Sequence, residues 1–511
     1  MSLVERIDSR VGRLALHDVA STRAREAAAL AGTLPFTLMA RAGECVARLA
    51  LALAPHARRV VVFAGPGNNG GDGIEAATRL SEFDKDASVV LVGDASRSPP
   101  DASRALERAR SAGVVVRVFD AGDDRIEDVP DLIVDALLGI GASRPPEAAL
   151  AAAIERIAEL AARGARVLAV DVPSGFDVDR GQPYGAPCVT ADDTLTFITA
   201  KPGLFTGAGR DHAGRVWLAR LGVDAEAAPP ADAFLVGRRD PSCAVTPRLN
   251  AQHKGSFGDV AIVGGATGMT GAAWLAARAA QAAGAGRVFV DLLGASSTHP
   301  VDVDPRHPEL MFRSGWAQGD ADVVSRATLV CGCGGGDAVR ALLPRLLSIV
   351  ACLVLDADAL NAIAADTSLQ TLLQARASRG FETILTPHPL EAARLLGSDA
   401  ARVQADRLRC ARELAERHRA VVVLKGSGTV IAAPGEAPRI NATGNASLAS
   451  AGTGDVLAGW IGGRWAAGAA SAFDVATRGV IEHGAAAEPE PAGALRASDL
   501  IEALYRNAAR D

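Results

Sequence analysis

Near the C-terminal end, Ala451-Gly452-Thr453-Gly454-Asp455 runs straight into Val456-Leu457-Ala458-Gly459-Trp460. Small residues leading into an apolar run predict a helix with an acid in its first turn. Such a start presents unpaired N–H groups and a positive dipole end, so it can hold an anion. The glycines let a phosphate approach the main chain closely. A carboxylate beside bound phosphate is useful where it meets a metal or a proton. A base that deprotonates a hydroxyl, so that the oxygen attacks phosphorus, is the natural reading of Asp455. A plain helix with a glycine entry and an acidic first turn is the alternative these residues leave open.

A second stretch lies far upstream. Gly65-Pro66-Gly67-Asn68-Asn69-Gly70-Gly71-Asp72-Gly73 follows the apolar, β-branched run Arg59–Ala64, and a helix is predicted from near Ile74. Strand, glycine-rich loop, helix is the layout of a nucleotide-phosphate cradle. The spacing matches neither the dinucleotide fingerprint nor a Walker motif. Two further acids close apolar runs: Asp135 after Leu132-Ile133-Val134 and Asp171 after Val167-Leu168-Ala169-Val170. One strand-end acid reads as a helix cap. Two of them with the Asn-Asn loop, all on the edge where ligands bind, point to a site. Asn69, Asp135 and Ser174 would offer a hard cation only oxygen ligands, and Asp171 would stay free for acid–base work.

Other residues in the second half could serve phosphate chemistry. Lys425-Gly426-Ser427-Gly428-Thr429 ends a predicted strand and opens a hairpin-like turn. Asp356-Ala357-Asp358 sits at another strand end, where magnesium or a helix cap is expected. Thr386-Pro387-His388-Pro389 holds a histidine between prolines, which fix the loop. It is a structural loop residue or a ligand, and a zinc role fails for lack of partners.

These residues need elements to position them. The chain has 511 residues, more than one ordinary core, so two or three domains are expected. In the first half, strands are predicted at Ser88–Val92, Val114–Phe119, Leu132–Ala136 and Arg166–Val170, with helices near 101–112 and 147–163. Residues 1–54 read as two helices. In the second half, strands are predicted at Asp259–Val263, Arg287–Asp291, Thr328–Cys331, Cys352–Leu355, Thr383–Leu385 and Val421–Leu424. Helices are predicted near 272–283, 338–349, 389–397 and 401–418. Alternating β and α segments imply parallel sheets covered on both faces: an α/β protein of two domains. The boundaries expected are 1–225 and 242–511, joined by a Pro-rich linker at 226–241.

Composition narrows the function classes. Aromatic residues make up 4% of the chain and the net charge is −6, with no basic block. That disfavours nucleic acid or an anionic membrane as partner. There is no signal-peptide pattern and no apolar run long enough to span a bilayer, so a cytoplasmic protein is expected. The seven cysteines are scattered and read as reduced core residues.

Pro66–Gly73, Val134-Asp135-Ala136-Leu137-Leu138-Gly139 and Asp171-Val172-Pro173-Ser174-Gly175 resemble the three signatures of the NAD(P)H-hydrate epimerase family, the YjeF N-terminal domain. The resemblance covers roughly residues 10–222, including Thr194–Phe197 and Lys201-Pro202-Gly203-Leu204. It implies a Rossmann-like fold, bound potassium and a hydrated nicotinamide dinucleotide as substrate. By position, Asn69, Asp135 and Ser174 would hold the potassium. Asn68, Asn69, Gly70, Gly71, Asp72, Gly139, Ile140, Gly141, Ala142, Ser143, Arg144, Pro145 and Asp171 would line the substrate. In the hydrate, the hydroxylated carbon adjoins a ring nitrogen that can expel hydroxide, and water can return from either face. Asp171 is expected to shuttle the proton.

The second half resembles the ADP-dependent NAD(P)H-hydrate dehydratase family, the YjeF C-terminal domain of the ribokinase-like superfamily, over roughly 242–505. The match rests on His253-Lys254-Gly255, Asp356–Asn361, Thr386–Pro389, Lys425–Thr429 and Gly452–Asp455. By position, Ala272, Gly334, His388 and Asp455 would contact the hydrate. Lys425, Gly426, Ser427, Gly428, Thr429 and Gly454 would contact the nucleotide. Two stretches depart from the family pattern: Gly332-Cys333-Gly334-Gly335-Gly336 stands where Gly-Pro-Gly-Leu-Gly is usual, and Leu390 stands where glycine is usual. The implied reaction has Asp455 take the hydroxyl proton while that oxygen attacks the terminal phosphoryl group of ADP. Phosphate then leaves from carbon, giving NAD(P)H and AMP, with magnesium screening charge. A bifunctional repair enzyme is therefore expected, with ADP and hydrated NADH or NADPH as ligands and a homo-oligomeric state. The alternative is a vitamin or sugar kinase carrying an N-terminal nucleotide-binding scaffold.

Overall fold

The computed structural model describes residues 4–122, 128–223, 230–244, 247–294, 303–468, 470–488 and 493–508. The chain divides into two compact units. The first comprises Ala15–Ala233 with the strand Glu5–Ile7; the second comprises Ser9–Leu14 with the chain from Phe234 onward.

The first unit is built on an eight-stranded sheet. Its order is Glu5–Ile7, Arg215–Ala219, Asp193–Phe197, Arg166–Val170, Leu132–Ala136, Arg59–Ala64, Asp86–Leu91, Val115–Val118. Every pairing is parallel except the first. The strands are nearly continuous apolar runs because helices cover both faces. The two-residue period is visible in the packing. Val60, Val62, Leu132, Val134, Leu168 and Val170 enter one core cluster, whereas Val61, Phe63, Ile133, Val167 and Ala169 enter the opposite one. Strand order reverses between Arg59–Ala64 and Leu132–Ala136, which makes the crevice above their carboxyl ends the expected ligand site.

The second sheet has eleven strands, in the order Met311–Phe312, Arg287–Leu292, Asp259–Gly264, Thr328–Cys331, Cys352–Leu355, Glu382–Leu385, Val421–Leu424, Val430–Ala432, Arg439–Asn441, Ala233–Val236, Arg13–Leu16. The six from Arg287 to Leu424 in that order are parallel. Val430–Ala432 turns back antiparallel as the hairpin the glycine turn at 426–428 predicts. Order reverses between Asp259–Gly264 and Thr328–Cys331, giving this unit its own crevice. Thr270–Ala282 and Thr453–Ala466 pack together above it through small residues. A Cβ on Gly459 would lie 2.0 Å from the Ala276 carbonyl oxygen, and one on Gly463 would lie 2.3 Å from that of Ala280.

The expected α/β architecture holds, with differences in detail. The helix after the first glycine loop is Asn68–Ser81, starting six residues before Ile74. Its glycines do not break it. They let it lie against the sheet: a Cβ on Gly70 would come within 1.9 Å of the Gly65 carbonyl oxygen, and one on Gly73 within 2.4 Å of the Ala136 Cβ. Residues before the helix Val19–Ala31 add two short strands, Glu5–Ile7 and Arg13–Leu16, too brief to carry a periodic signal. The helix expected over 401–418 is two, Ala400–Ala405 and Arg407–His418, because Asp406 leaves helical geometry to cap the second through the Arg409 N–H. Of the expected linker, residues 226–229 lie outside those described, and Ala233–Val236 is a strand of the second sheet.

Candidate active sites

A cavity of about 550 Å³ opens at the strand-order reversal of the first unit. That is the size of a small-molecule site. Asn68, Asn69, Asp72, the run Gly139–Ala142 and Asp171 line it. Gly70 and Gly71 are buried beneath it as packing residues, and Ser143, Arg144 and Pro145 are exposed outside its lining.

Asp171 sits where the chain leaves Arg166–Val170, in the left-handed region at φ +65°. Such backbone strain is tolerated where the surroundings over-determine it, often at working sites. Here they do. Its Oδ1 accepts from the fully buried Lys201 ammonium at 2.7 Å, from the Thr196 hydroxyl at 3.3 Å and from the Phe197 N–H at 3.2 Å. Lys201 also donates to Thr196 Oγ1 and to the Phe197 carbonyl. Sequence alone gave Lys201 no role: nothing in a Lys-Pro-Gly segment says which acid it will meet after folding. The cavity also holds Glu26 and Asp101, neither of which any motif announced. Burial, then Asp171, pushes the Glu26 carboxyl up.

Behind the cavity wall Asp135 is fully buried. Its Oδ1 accepts from the Ser174 hydroxyl at 2.6 Å and from Leu137 N–H at 3.2 Å, and its Oδ2 accepts from Ser174 N–H at 2.9 Å. Burial raises its pKa to about 6, although these hydrogen bonds oppose the rise. Asn69 packs against Gly139, and its buried amide nitrogen has no hydrogen-bond partner among the described residues.

In the second unit, Asp455 lies in the first turn of Thr453–Ala466, whose N-cap Gly452 has φ +87°. Cys333, Asp356 and Asp455 place ligand-type atoms within 4.8 Å of one another. Burial, then the Asp356 charge, lifts Asp455 to about 6. The same two causes, with Asp455 added, push the Cys333 thiol well above its usual range. Asp356 stands at the N-cap position of Ala357–Ala364, but its side chain makes no capping bond: its Oδ1 takes Lys425 Nζ at 2.8 Å and the Thr386 hydroxyl at 2.7 Å. Burial would lower Lys425, but Asp356 and Glu391 outweigh it and hold the ammonium above its ordinary value. A Cβ on Gly454 would lie 3.4 Å from that ammonium, so Lys425 stands at the helix start. Charge and helix dipole there combine into an anion site.

The remaining predicted residues flank this centre. A Cβ on Gly334 would lie 2.9 Å from the Ala272 Cβ, so these two meet at the strand-order reversal. His388 caps Pro389–Leu396: Nδ1 accepts from Leu390 N–H at 3.1 Å, while Nε2 lies 3.1 Å from Glu391 Oε1. With Nδ1 accepting, Nε2 carries the proton. Leu390 is exposed. The turn Lys425–Thr429 is braced from below by buried Arg407, which donates to the Leu424 and Lys425 carbonyls. Glu391 was legible only as half of a His-x-x-Glu capping box, and Arg407 carried no signal among many arginines.

Two parallel α/β units, one with a buried acid–lysine pair under a cavity and one with a raised-pKa acid at a glycine-opened helix start, define a two-centre enzyme. Known proteins agree. The family described as YjeF-related protein N-terminus matches residues 35–203, and that described as NAD(P)H-hydrate dehydratase matches 260–506. The bifunctional NAD(P)H-hydrate repair enzyme Nnr of Escherichia coli (strain K12) is 35% identical, covering 94% of this chain and 91% of its own. Its namesake from Coxiella burnetii is 36% identical, covering 89% and 91%. A Bacillus subtilis ADP/ATP-dependent NAD(P)H-hydrate dehydratase, crystallised with ATP and Mg²⁺, is 29% identical with a TM-score of 0.44 and covers 53% of this chain and 95% of its own. The chain belongs to the bifunctional NAD(P)H-hydrate repair enzyme family, which joins an isomerase and a lyase in one polypeptide. The kinase alternative is set aside with that membership. No helix among the described residues is long and apolar enough to cross a membrane.

Proposed function

We propose that the first unit epimerises the R and S hydrates of NADH and NADPH in the cavity over Asp171, and that the second dehydrates the S hydrate with Asp455 as base. The observation that carries the first half is the Lys201–Asp171 pair at 2.7 Å on the cavity wall. The buried Lys201 ammonium pairs with the Asp171 carboxylate and aims it at the cavity, where it can take or return the proton of an entering or leaving water. The ring nitrogen supplies the electron pair that expels the hydroxyl. Rings of small residues at Gly139, Gly141 and Ala142 leave room for a flat ring.

In the second unit, Asp455 removes the hydrate's hydroxyl proton, and that oxygen attacks the terminal phosphorus of the nucleotide. Its pKa of about 6 suits a base working near neutrality. Lys425 and the backbone N–H groups from Thr453 hold the phosphates, and the turn Gly426–Thr429 carries the rest of the nucleotide. ADP is the nucleotide this arrangement is proposed to use. Asp356 would help hold magnesium, which would supply charge neutralisation on the phosphates when bound, leaving Asp455 free as the base.

Potassium fits the first unit. Asn69 has an orphaned buried amide whose two ends are interchangeable by a flip, and Asp135 with Ser174 adds a carboxylate and a hydroxyl. These three would hold a monovalent cation, which would offset the buried charge of Asp135. Thermal unfolding in potassium against choline chloride tests this: potassium should raise the transition of the wild-type chain and leave that of Asn69→Ala unmoved.

The decisive experiment offers the full chain separated R and S hydrates, with and without ADP and Mg²⁺, and follows the near-ultraviolet band of the reduced nicotinamide. Asp171→Asn should leave the R hydrate unrepaired while the S hydrate is still restored. Asp455→Asn should stop restoration of both but not their interconversion. Restoration by Asp455→Asn at the wild-type rate would end this reading of the second unit.

A further inference from the structure

Asp72 is, with Glu26 and Asp101, one of the acids of the first cavity that the mechanism above leaves without work. It lies in the second turn of Asn68–Ser81 and lines the same cavity as Asp171. No hydrogen bond or ion pair reaches its carboxyl among the described residues. Its surroundings are the reverse of those of Asp171, whose carboxylate has an ammonium, a hydroxyl and an N–H on one oxygen.

The charged groups around Asp72 come from every neighbouring element. Glu26 and Arg23 come from Val19–Ala31, Asp101 from Pro100–Ser111, Asp171 from the end of Arg166–Val170, and Lys201 from the segment after Asp193–Phe197. Lysine is already spent on Asp171. Burial, followed by Asp171, Glu26 and Asp101, pushes the Asp72 carboxyl well above its usual range. One carboxyl bound to an ammonium and a second with no cation on it, in one cavity, is the arrangement that separates a base from an acid.

Placement also fits. The strands that launch the two residues are separated by one other, Leu132–Ala136, so their carboxyl ends stand about 10 Å apart at the sheet. Asp72 stands beyond its strand, in the helix that follows it, and both acids line the one cavity of about 550 Å³, so a ring bound there meets both. We propose that Asp72 is the general acid of the epimerisation, giving its proton to the hydrate hydroxyl from across the ring from Asp171. This inference rests on the reading of the cavity as the epimerase site.

The Asp72 O–H proton passes to the hydroxyl oxygen, and the carbon–oxygen bond breaks with its electron pair, releasing water. The ring-nitrogen lone pair forms the carbon–nitrogen double bond of the iminium. A water on the opposite face then bonds to the same carbon, the π pair returns to nitrogen, and Asp171 takes the proton. Asp72 is left ionised and Asp171 protonated, the state suited to the other hydrate epimer. The same two groups thus serve both directions with roles exchanged.

The test measures epimerisation by the full-length chain as kcat and KM for each hydrate, across pH. Asp72→Asn should lower kcat at least about 100-fold with KM within about threefold, and Asp72→Glu should recover part of the loss. The wild-type rate should fall at high pH as Asp72 loses its proton, and this limb should vanish from the residual rate of Asp72→Asn. Restoration of the S hydrate in the second unit should be unchanged in both variants, which checks protein quality. If Asp72→Asn fails to fold, Asp72→Glu must still displace the high-pH limb. A kcat for Asp72→Asn within threefold of wild type, a loss confined to KM, or a wild-type rate with no high-pH limb overturns the proposal. If Asp171→Asn is dead while Asp72→Asn is active, only this proposal fails. If both epimerise normally, the assignment of the cavity itself fails.

Discussion

At the residue scale, the Lys201–Asp171 pair couples chemistry to stability. Removing the carboxylate alone strands a fully buried ammonium with only a hydroxyl and a carbonyl, a loss of about 3 kcal/mol or more. Asp171→Asn should therefore lower the first unit's unfolding midpoint in urea, and Asp171→Asn with Lys201→Met should regain much of it while epimerisation stays lost. Asp455 makes a pH prediction. Burial raises its pKa to about 6, and the base must be ionised, so the dehydration kcat at saturating nucleotide should be flat above about 6 and fall tenfold per pH unit below it. A profile unchanged down to the ordinary aspartate range would remove Asp455 as the base. The neighbouring thiol is held protonated by burial and two acids. Cys333 should consequently escape iodoacetamide in the native protein at mildly alkaline pH, as read by intact mass, since the thiolate is the reactive form.

At the element scale, the contact between Thr270–Ala282 and Thr453–Ala466 fixes where Asp455 points. It depends on glycine at 459, where a Cβ would press to 2.0 Å from a backbone oxygen that cannot swing away. Gly459→Val should destabilise the second unit by about 3 kcal/mol and slow dehydration, with epimerisation kept; an unchanged melting curve would contradict the packing described. Much of this level was readable in advance. Strands such as Leu132–Ala136, Arg166–Val170, Thr328–Cys331 and Cys352–Leu355 fall where short, mostly apolar runs put them, because a sheet covered on both faces selects apolar residues along the strand. Asn68–Gly73 misled, since glycine's rank as a helix breaker is local while its use here is a close approach to the sheet. In the sites, acids at strand ends were legible because the chain order alone puts them on the ligand edge. Lys201, Glu26 and Arg407 were not, since their partners are fixed only by tertiary packing; Glu391 showed only through its local capping box with His388.

At the scale of the whole molecule, two centres in one chain predict complementation. Mixing Asp171→Asn chains with Asp455→Asn chains should restore reduced nicotinamide from the R hydrate, because the S hydrate made by one can be consumed by the other; no restoration would mean the intermediate does not pass through solution. The second unit is also not a continuous piece of chain, for it includes Ser9–Leu14. Arg13 donates twice to Asp240, at 2.9 Å each, and the Asp240 side chain is fully buried. Arg13→Met should destabilise this unit by about 2 kcal/mol, below the fully buried case because Arg13 itself is a third exposed. Synthesis gives that arrangement a further meaning. A ribosome adding about 5–20 residues per second delivers Arg13 long before Asp240, so for tens of seconds Ser9–Leu14 has nowhere to dock. The nascent first unit must fold while leaving that stretch available, and the second unit is completed by a segment made well ahead of the rest of it.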